Sequence, residues 1–293
     1  MKAGFVALVG RPNVGKSTLL NHLVGQKISI TSRRPQTTRH RICGIKTTRD
    51  EQIVFVDTPG IHASQKRAMN RYLNRAAVSA LLDVDVIVWL IDRPMWLPED
   101  ELVLERIKSA GVPVILVINK VDRLEDKAFL LPFLEEAAAR HSFADLVPVS
   151  ALKGTNLDVL ERKIIELLPE GEPIYPEDQI TDKPERFFAA EVIREKLLRS
   201  LSQEVPHALT VEIEQFKLEG GLTRISAVIW VEREGQKAII IGRSGEVLKK
   251  VGERARHELE RLLDCKVYLE LWVKVKKGWS DDERALHSLG YSE

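Results

Sequence analysis

The sequence predicts an α/β fold in two parts, a doubly wound and mainly parallel sheet followed by a smaller α+β domain. Three observations carry that prediction. Up to Leu168, short apolar runs alternate with segments of helical periodicity, the pattern of a right-handed βαβ sheet. Between Leu168 and Arg186 the alternation stops at Pro169, Pro173, Pro176 and Pro184, in a polar, acidic stretch that reads as a linker stiffened toward extended geometry. Beyond it, strands alternate polar and apolar residues, as a half-exposed sheet requires. The expected boundaries are 1–170 for the first domain, 171–185 for the linker, 186–278 for the second domain and 279–293 for a C-terminal tail.

Phe5 to Val9 reads as a short buried strand and Ser17 to Leu23, through Thr18, as the first turns of a helix. Between them Gly10-Arg11-Pro12-Asn13-Val14-Gly15-Lys16-Ser17 fits G-x-x-x-x-G-K-[ST] in the strand-loop-helix context that motif needs. Its glycines let successive N–H groups face a β-phosphate, and the helix N-terminus adds partial positive charge. Lys16 is expected to bridge β- and γ-phosphates, and the Ser17 hydroxyl to ligate Mg²⁺. Downstream, Pro35-Gln36-Thr37-Thr38-Arg39 forms a polar loop, and Thr38 is the threonine expected to complete the metal shell. Arg33, Arg34, Arg39 and Arg41, in or beside that loop, either touch phosphate or RNA or are solvated.

The strand Gln52 to Val56 ends in Asp57-Thr58-Pro59-Gly60. Asp57 is placed to hold Mg²⁺ through water, and Gly60 to donate its N–H to a γ-phosphate and to rearrange when that phosphate leaves. The run Pro113 to Ile118 ends in Asn119-Lys120-Val121-Asp122, at the carboxyl end of a parallel strand, where open α/β sheets bind ligands. The Asp122 carboxylate can accept from two adjacent donors, which guanine N1 and N2 present and adenine does not. Leaving it buried and unpaired against adenine is worth a roughly thousandfold preference. Asn119 is expected to tie the base edge to the phosphate loop, and Lys120 to offer its aliphatic stem for stacking. Val149-Ser150-Ala151-Leu152 ends another apolar run and offers a backbone N–H to the guanine carbonyl.

In the second domain, Phe187 to Leu201 has helical periodicity, and Leu209 to Phe216 and Arg224 to Val231 alternate as strands around a Gly220-Gly221 turn. Gln236 to Ile241 follows, then the loop Gly242-Arg243-Ser244-Gly245, a helix from Glu246 to Leu263 and a last strand from Val267 to Val275. From Gln236 to Gly278 there are eleven Lys or Arg against six Asp or Glu, an excess of five positive charges on a chain whose net charge is +1. Lys249, Lys250, Arg254 and Arg256 are candidate phosphate contacts, with Arg243 inside the loop. Trp272, Trp279 and His257 are candidates to stack on bases, with Trp272 more readily a core residue. The acidic tail is expected to be partly helical.

The four nucleotide motifs, in this order, resemble the translation-factor-related GTPases. Gly-Arg-Pro-Asn-Val-Gly-Lys-Ser, Gln-Thr-Thr-Arg-His-Arg, Asp-Thr-Pro-Gly-Ile-His and Asn-Lys-Val-Asp together resemble the Era family, in the Era/TrmE-like branch. The second domain's order of helix, strand, strand, helix, G-x-x-G, helix, strand resembles a type II KH domain, so the resemblance spans nearly the whole chain. It implies hydrolysis of GTP to GDP and phosphate. Ile61 stands where Ras-like proteins carry a water-orienting glutamine, which implies slow turnover, on the order of 10⁻⁴ to 10⁻² s⁻¹. Asn13, by likeness to relatives, implies a K⁺ site that stabilises transition-state charge. The KH resemblance implies that Gly242, Arg243, Ser244, Gly245, Lys249, Lys250 and Arg254 hold about four unstacked nucleotides. Family membership further implies binding near the 3′ end of 16S ribosomal RNA, a role in 30S subunit assembly, a monomer, and a cytoplasmic protein with peripheral membrane association. The competing reading is a constitutive RNA-binding protein whose nucleotide is structural.

Composition narrows the class. A chain of 293 residues, 44% hydrophobic and 30% charged, is that of a globular protein of about two domains. No apolar run approaches the ~20 residues of a membrane span, and those around Val84 to Ile91 and Ile239 to Ile241 read as short core strands. The N-terminus is already a strand, so no secretory signal is expected. Cys43 and Cys265 lack a metal-ligand spacing, which fits a reduced cytoplasmic setting.

Overall fold

The structure is a computed structural model that describes residues 1–32, 34–60, 67–126, 128, 130–201 and 209–291. The chain divides into two compact units, one of Met1–Thr31, Thr38–Lys66 and Asn70–Asp182, the other of Ser32–Thr37, Arg67–Met69 and Lys183–Glu293. No helix among the described residues is long and apolar enough to cross a membrane.

The first unit is built on six strands, β1 (Lys2–Gly10), β2 (Ile42–Thr47), β3 (Glu51–Asp57), β4 (Val86–Ile91), β5 (Val114–Ile118) and β6 (Asp145–Pro148), in the spatial order β2-β3-β1-β4-β5-β6. All pairs are parallel except β2 with β3. Helices α1 (Lys16–Val24), α2 (Ala68–Ser79), α3 (Pro98–Lys108), α4 (Leu130–Arg140) and α5 (Leu157–Leu167) make the connections. Val-Ile-Val-Trp-Leu-Ile in β4 is buried along its whole length, as a central strand covered on both faces must be. Because β1, β3 and β5 are parallel, their carboxyl ends converge at one edge, and Gly10, Asp57 and Asn119 sit there.

The Pro-rich stretch is not a free tether as far as Asp182. The Gln52 side chain donates to Tyr175 O (2.8 Å) and accepts from Ile174 N and Tyr175 N (2.6 and 2.9 Å). Asp182 accepts from Cys43 N (2.8 Å), and Ile45 N donates to Ile180 O (2.9 Å). Sequence composition marks the prolines but not the carbonyls and amides that dock beside β2.

The second unit has α6 (Glu185–Ser200), β7 (Leu209–Glu219), β8 (Leu222–Val231), α7 (Glu234–Ile241), α8 (Glu246–Leu262), β9 (Lys266–Val275) and α9 (Glu283–Ser288). The sheet order is β7-β8-β9, with the first pair antiparallel and the second parallel. Gly220 and Gly221 both have positive φ (57° and 81°), the hairpin turn for which glycine is suited. In the helical layer α8 packs against α6 and α7. It faces inward with Val251, Ala255 and Leu259, spaced by four, to meet Ile225, Ala227 and Ile229 of β8 and Ile193 and Leu197 of α6.

Three expectations are corrected here. Ile239 to Ile241 is not a strand but the last turn of α7, with Ile240 buried and Ile239 exposed, because three consecutive apolar residues do not distinguish a strand from a helix end. Trp272 is 59% exposed, since its place on β9 turns it to the sheet face opposite the helices. Trp279 is wholly buried, its ring stacked with Tyr291, and so is not available to a base. The tail is helical over α9, where Asp282 caps the helix by accepting from Arg284 N and Ala285 N.

Candidate nucleotide site and nucleic-acid interface

The loop from Gly10 to Lys16 has the backbone its glycines permit. Gly10 (φ 146°) passes Leu90 O so closely that a Cβ would lie 2.4 Å from it, and at Gly15 (φ 111°) a Cβ would lie 2.2 Å from Asn119 Nδ2. Asn13 also has positive φ (64°), on the exposed rim. The Lys16 ammonium curls back into the loop and donates to Gly10 O (3.0 Å) and Arg11 O (2.9 Å), leaving the residue 6% exposed. Burial lowers its pKa to about 8, opposed by the Asp57 charge and assisted by Arg11.

Asp57 sits below Lys16, wholly buried, at the end of β3. Ser17 Oγ (2.7 Å) and Ser29 Oγ (2.9 Å) both donate to its Oδ2. Thr38 Oγ1 lies 2.8 Å from Ser17 Oγ. Asp57 Oδ1 is buried and has no hydrogen-bond partner among the described residues. Burial raises the carboxyl's pKa, while the Ser17 bond and the Lys16 charge pull the other way. Ser17, Thr38 and Asp57 therefore bring three hard oxygens to one place, one carboxylate oxygen lacking a protein donor, a set that suits Mg²⁺. Beside them Thr58 Oγ1 donates to Leu8 O (2.9 Å), fixing the strand end. Gly60 lies against Pro12, where a Cβ would come 2.6 Å from Pro12 N. Ile61 lies outside the described residues, as does Arg33. Arg39 is wholly buried, which removes the solvated alternative for that side chain.

Asn119 holds the loops together. Its Nδ2 donates to Val14 O (2.8 Å), and its Oδ1 accepts from Lys120 N (2.7 Å) and Ala151 N (2.9 Å). Ala151 N–H is thus engaged, and a base carbonyl at that point competes with an existing bond, a constraint the sequence reading did not include. His22 of α1 adds an imidazole N–H bond to Ala151 O. Asp122, in the turn Val121–Arg123, accepts from Ser150 Oγ (2.6 Å). The carboxylate is exposed, not buried as the selectivity argument assumed. Leu152 beside it is 63% exposed.

Sequence reasoning missed a charge network under these loops. Asp92 follows β4 directly. It pairs through Oδ1 with Arg11 (3.0 Å) and through Oδ2 with Lys120 (2.9 Å), whose ammonium also donates to Asn13 O (2.7 Å). Arg11 Nε in addition donates to Asp100 (2.6 Å), wholly buried in the first turn of α3. Burial alone would raise Asp92, but the Lys120 bond and charge, with Arg11, hold it below the usual carboxylate range. The signal was present: Asp92 occupies the carboxyl end of a parallel strand, the position that singled out Asn119. Ser29 carried no such signal.

In the second unit the loop after α7 is set by Gly242, whose φ of 73° and ψ of 176° only glycine adopts readily, and where a Cβ would lie 2.4 Å from Val247 Cγ2. Arg243 and Ser244 project into solvent from a single 3₁₀ turn, and Gly245 (φ 81°) opens α8. Lys249, Lys250 and Arg254 are exposed on α8 and have no ion-pair partner among the described residues. Arg256, by contrast, pairs with Glu260 (3.0 Å).

A family model described as a 50S ribosome-binding GTPase matches residues 5–120, and a KH domain model matches residues 204–280. GTPase Era of Pseudomonas aeruginosa is 58% identical over 292 residues, covering 100% of this chain and 96% of that protein. The Azotobacter vinelandii GTPase Era is 57% identical over 293 residues, covering 100% and 98%. Among solved structures, a tyrosine-to-alanine variant of Aquifex aeolicus Era bound to GDP and AlF₄⁻ superimposes with a TM-score of 0.97 at 44% identity, covering 100% of both chains. Era in complex with MgGDPNP and nucleotides 1506–1542 of 16S ribosomal RNA gives 0.97 at 45% identity, again over 100% of both.

Proposed function

The chain belongs to the Era GTPases, and from that premise we propose that it is a GTP-hydrolysing switch that binds the 3′ end of 16S ribosomal RNA through its KH domain and assists assembly of the 30S subunit. The observation that carries the reading is Asn119, one side chain bonded at once to the phosphate loop at Val14, to Lys120 and to Ala151. It makes the occupancy of the phosphate loop and of the base loops a single event.

In this reading the backbone N–H groups from Asn13 to Thr18 surround the β-phosphate, and Lys16 leaves its carbonyl partners for the β- and γ-oxygens. Ser17 and Thr38 hold Mg²⁺ directly and Asp57 holds it through water, an assignment supported by the unpartnered Asp57 Oδ1. When bound, Mg²⁺ neutralises charge on the β- and γ-oxygens. Gly60, which has no side chain to strike Pro12, turns its N–H to the γ-phosphate. Asp122 takes guanine N1 and N2, and the seated base removes its carboxylate from water. Asn13, on the loop rim, holds K⁺, so hydrolysis runs faster in KCl than in NaCl. The G-x-x-G loop, with Lys249, Lys250 and Arg254, takes the RNA backbone. The protein works as a cytoplasmic monomer, with peripheral membrane contact secondary to RNA.

Three measurements test this. Asp122→Asn exchanges the carboxylate for an amide and is expected to move preference from GTP to xanthosine triphosphate; an unchanged preference rejects Asp122 as the base reader. GTP hydrolysis in KCl, with and without RNA of the 1506–1542 sequence, is expected to be stimulated by that RNA. Equal RNA affinity with a GTP analogue and with GDP favours the constitutive RNA-binding reading instead, because a ligand without differential affinity shifts no equilibrium.

A further inference from the structure

Between the last turns of α6 and the C-terminal half of α8 lies a cleft of about 390 Å³ lined by Lys196, Arg199, Arg254, His257, Glu258 and Arg261. Lys196 is shared between Glu258 and the wholly buried Glu195 (3.0 Å), and Arg199 also pairs with Glu195 (2.9 Å). Glu195 is thus shared by two cations and Glu258 faces one of them, so the cleft sets two carboxylates against four cations. Arg254 has no carboxylate partner among the described residues, and Arg261 donates its Nε only to the backbone carbonyl of His257 (3.3 Å). Among the described residues the concave surface therefore carries an excess of two positive charges.

The cleft continues a line of charge along the helix. Lys250, Arg254, His257 and Arg261 are spaced by four, three and four residues, which places them on one stripe of α8 over about 16 Å of helix axis. The stripe starts one turn after the G-x-x-G loop and ends in the cleft. A groove of KH type holds only about four nucleotides, so a longer strand must leave it, and this stripe is a cationic path for the departing backbone. The half-exposed His257 ring offers a stacking surface beside it.

We propose that the α6–α8 cleft is a second phosphate site, in which Arg199, Arg254 and Arg261 hold the backbone of RNA that extends beyond the G-x-x-G groove. This rests on the RNA reading above and adds to it a site outside the groove. It makes length, rather than sequence, the determinant of the added affinity.

The test compares RNA of the 1506–1542 sequence with six-nucleotide pieces tiling it, by fluorescence anisotropy across a KCl series. The proteins are the full wild-type chain, the double variant Arg199→Gln/Arg261→Gln, and Glu258→Gln, with thermal unfolding used to verify that each is folded. Each lost phosphate contact to a single strand lowers the salt slope by about 0.7. The double variant is therefore expected to lose about 1.4 from the slope, and about tenfold in affinity at moderate salt, on the long RNA only. Its affinity for the best six-nucleotide piece is expected to equal wild type. Glu258→Gln, which removes a negative charge from the cleft, is expected to bind the long RNA more tightly. A double variant that binds the long RNA with wild-type affinity and slope overturns the proposal, as does one that loses the short piece equally. A wild-type protein that binds neither RNA rejects the RNA reading itself, and the cleft with it.

Discussion

Burying the Lys16 ammonium against two carbonyls predicts that nucleotide binding takes up a proton. Its pKa stands at about 8 instead of the ordinary 10.5, mainly because burial disfavours the charge. Phosphates beside Nζ restore the charged form, so binding and protonation are linked wherever the free protein has lost that proton. Well below pH 8 the lysine is charged in both states and affinity does not vary with pH. Between pH 8 and 10.5 it is neutral in the free protein and charged in the complex, so affinity falls as pH rises. The dissociation constant for GDP then increases about tenfold from pH 7 to pH 9, and binding at pH 8 takes up about half a proton. Stability of the nucleotide-free protein should move the other way. A lysine lowered by folding means that the unfolded chain holds more protons over this window, so folding is least favoured below pH 8 and gains up to about 3 kcal/mol as pH rises to 10.5. The assay is titration calorimetry in two buffers of different ionisation enthalpy, kept below the pH at which guanine itself ionises, together with thermal unfolding of the free protein. Flat affinity from pH 7 to 9 with no buffer-dependent heat would refute the account of Lys16.

Other changes probe the supports of each site. Gly15→Ala places a methyl group on Asn119 Nδ2 at a φ of 111°, and is expected to abolish GDP binding and to cost about 2–3 kcal/mol by thermal unfolding. Asp92→Asn removes the shared partner of Arg11 and Lys120 and is expected to weaken GDP binding about tenfold by calorimetry; wild-type affinity would mean that the network is not needed to hold the loops. Gly242→Ala meets Val247 in a conformation reserved for glycine, so RNA affinity should drop and stability fall by about 1–3 kcal/mol, with intrinsic GTP hydrolysis unchanged.

The parts of the nucleotide site that were legible in sequence are those where chemistry demands a residue at a fixed offset from a strand. Gly10 to Ser17, Asp57 and Asn119 each follow an apolar run, and the sheet order brings their strand ends to one edge. The antiparallel β2 was not legible, because Ile42 to Thr47 follows a polar loop without turn signals of its own. The partners of Arg11 were hidden for a different reason: Asp92 and Asp100 lie more than eighty residues away, and only folding makes them neighbours. In the second unit, element order and the G-x-x-G loop gave the topology, whereas the fate of individual tryptophans did not follow. Trp272 and Trp279 are seven residues apart, the first in an alternating strand and the second among charged neighbours, and strand parity decides the exposure of the one while packing on Tyr291 accompanies the burial of the other.

The docking of residues 174–182 beside β2 has a consequence for how the protein behaves in a crowded solution. An edge strand with open amides and carbonyls is a template for any extended chain that reaches it. Here the bond from Ile45 N to Ile180 O, the bridge between Gly44 and Thr181 and the Asp182 carboxylate on Cys43 N occupy that template with the protein's own chain. The prolines on either side cannot donate to a further strand, which limits the length over which the covering segment could itself be extended. A segment that composition marks as a spacer thus also serves as a self-supplied guard against strand addition by neighbouring molecules.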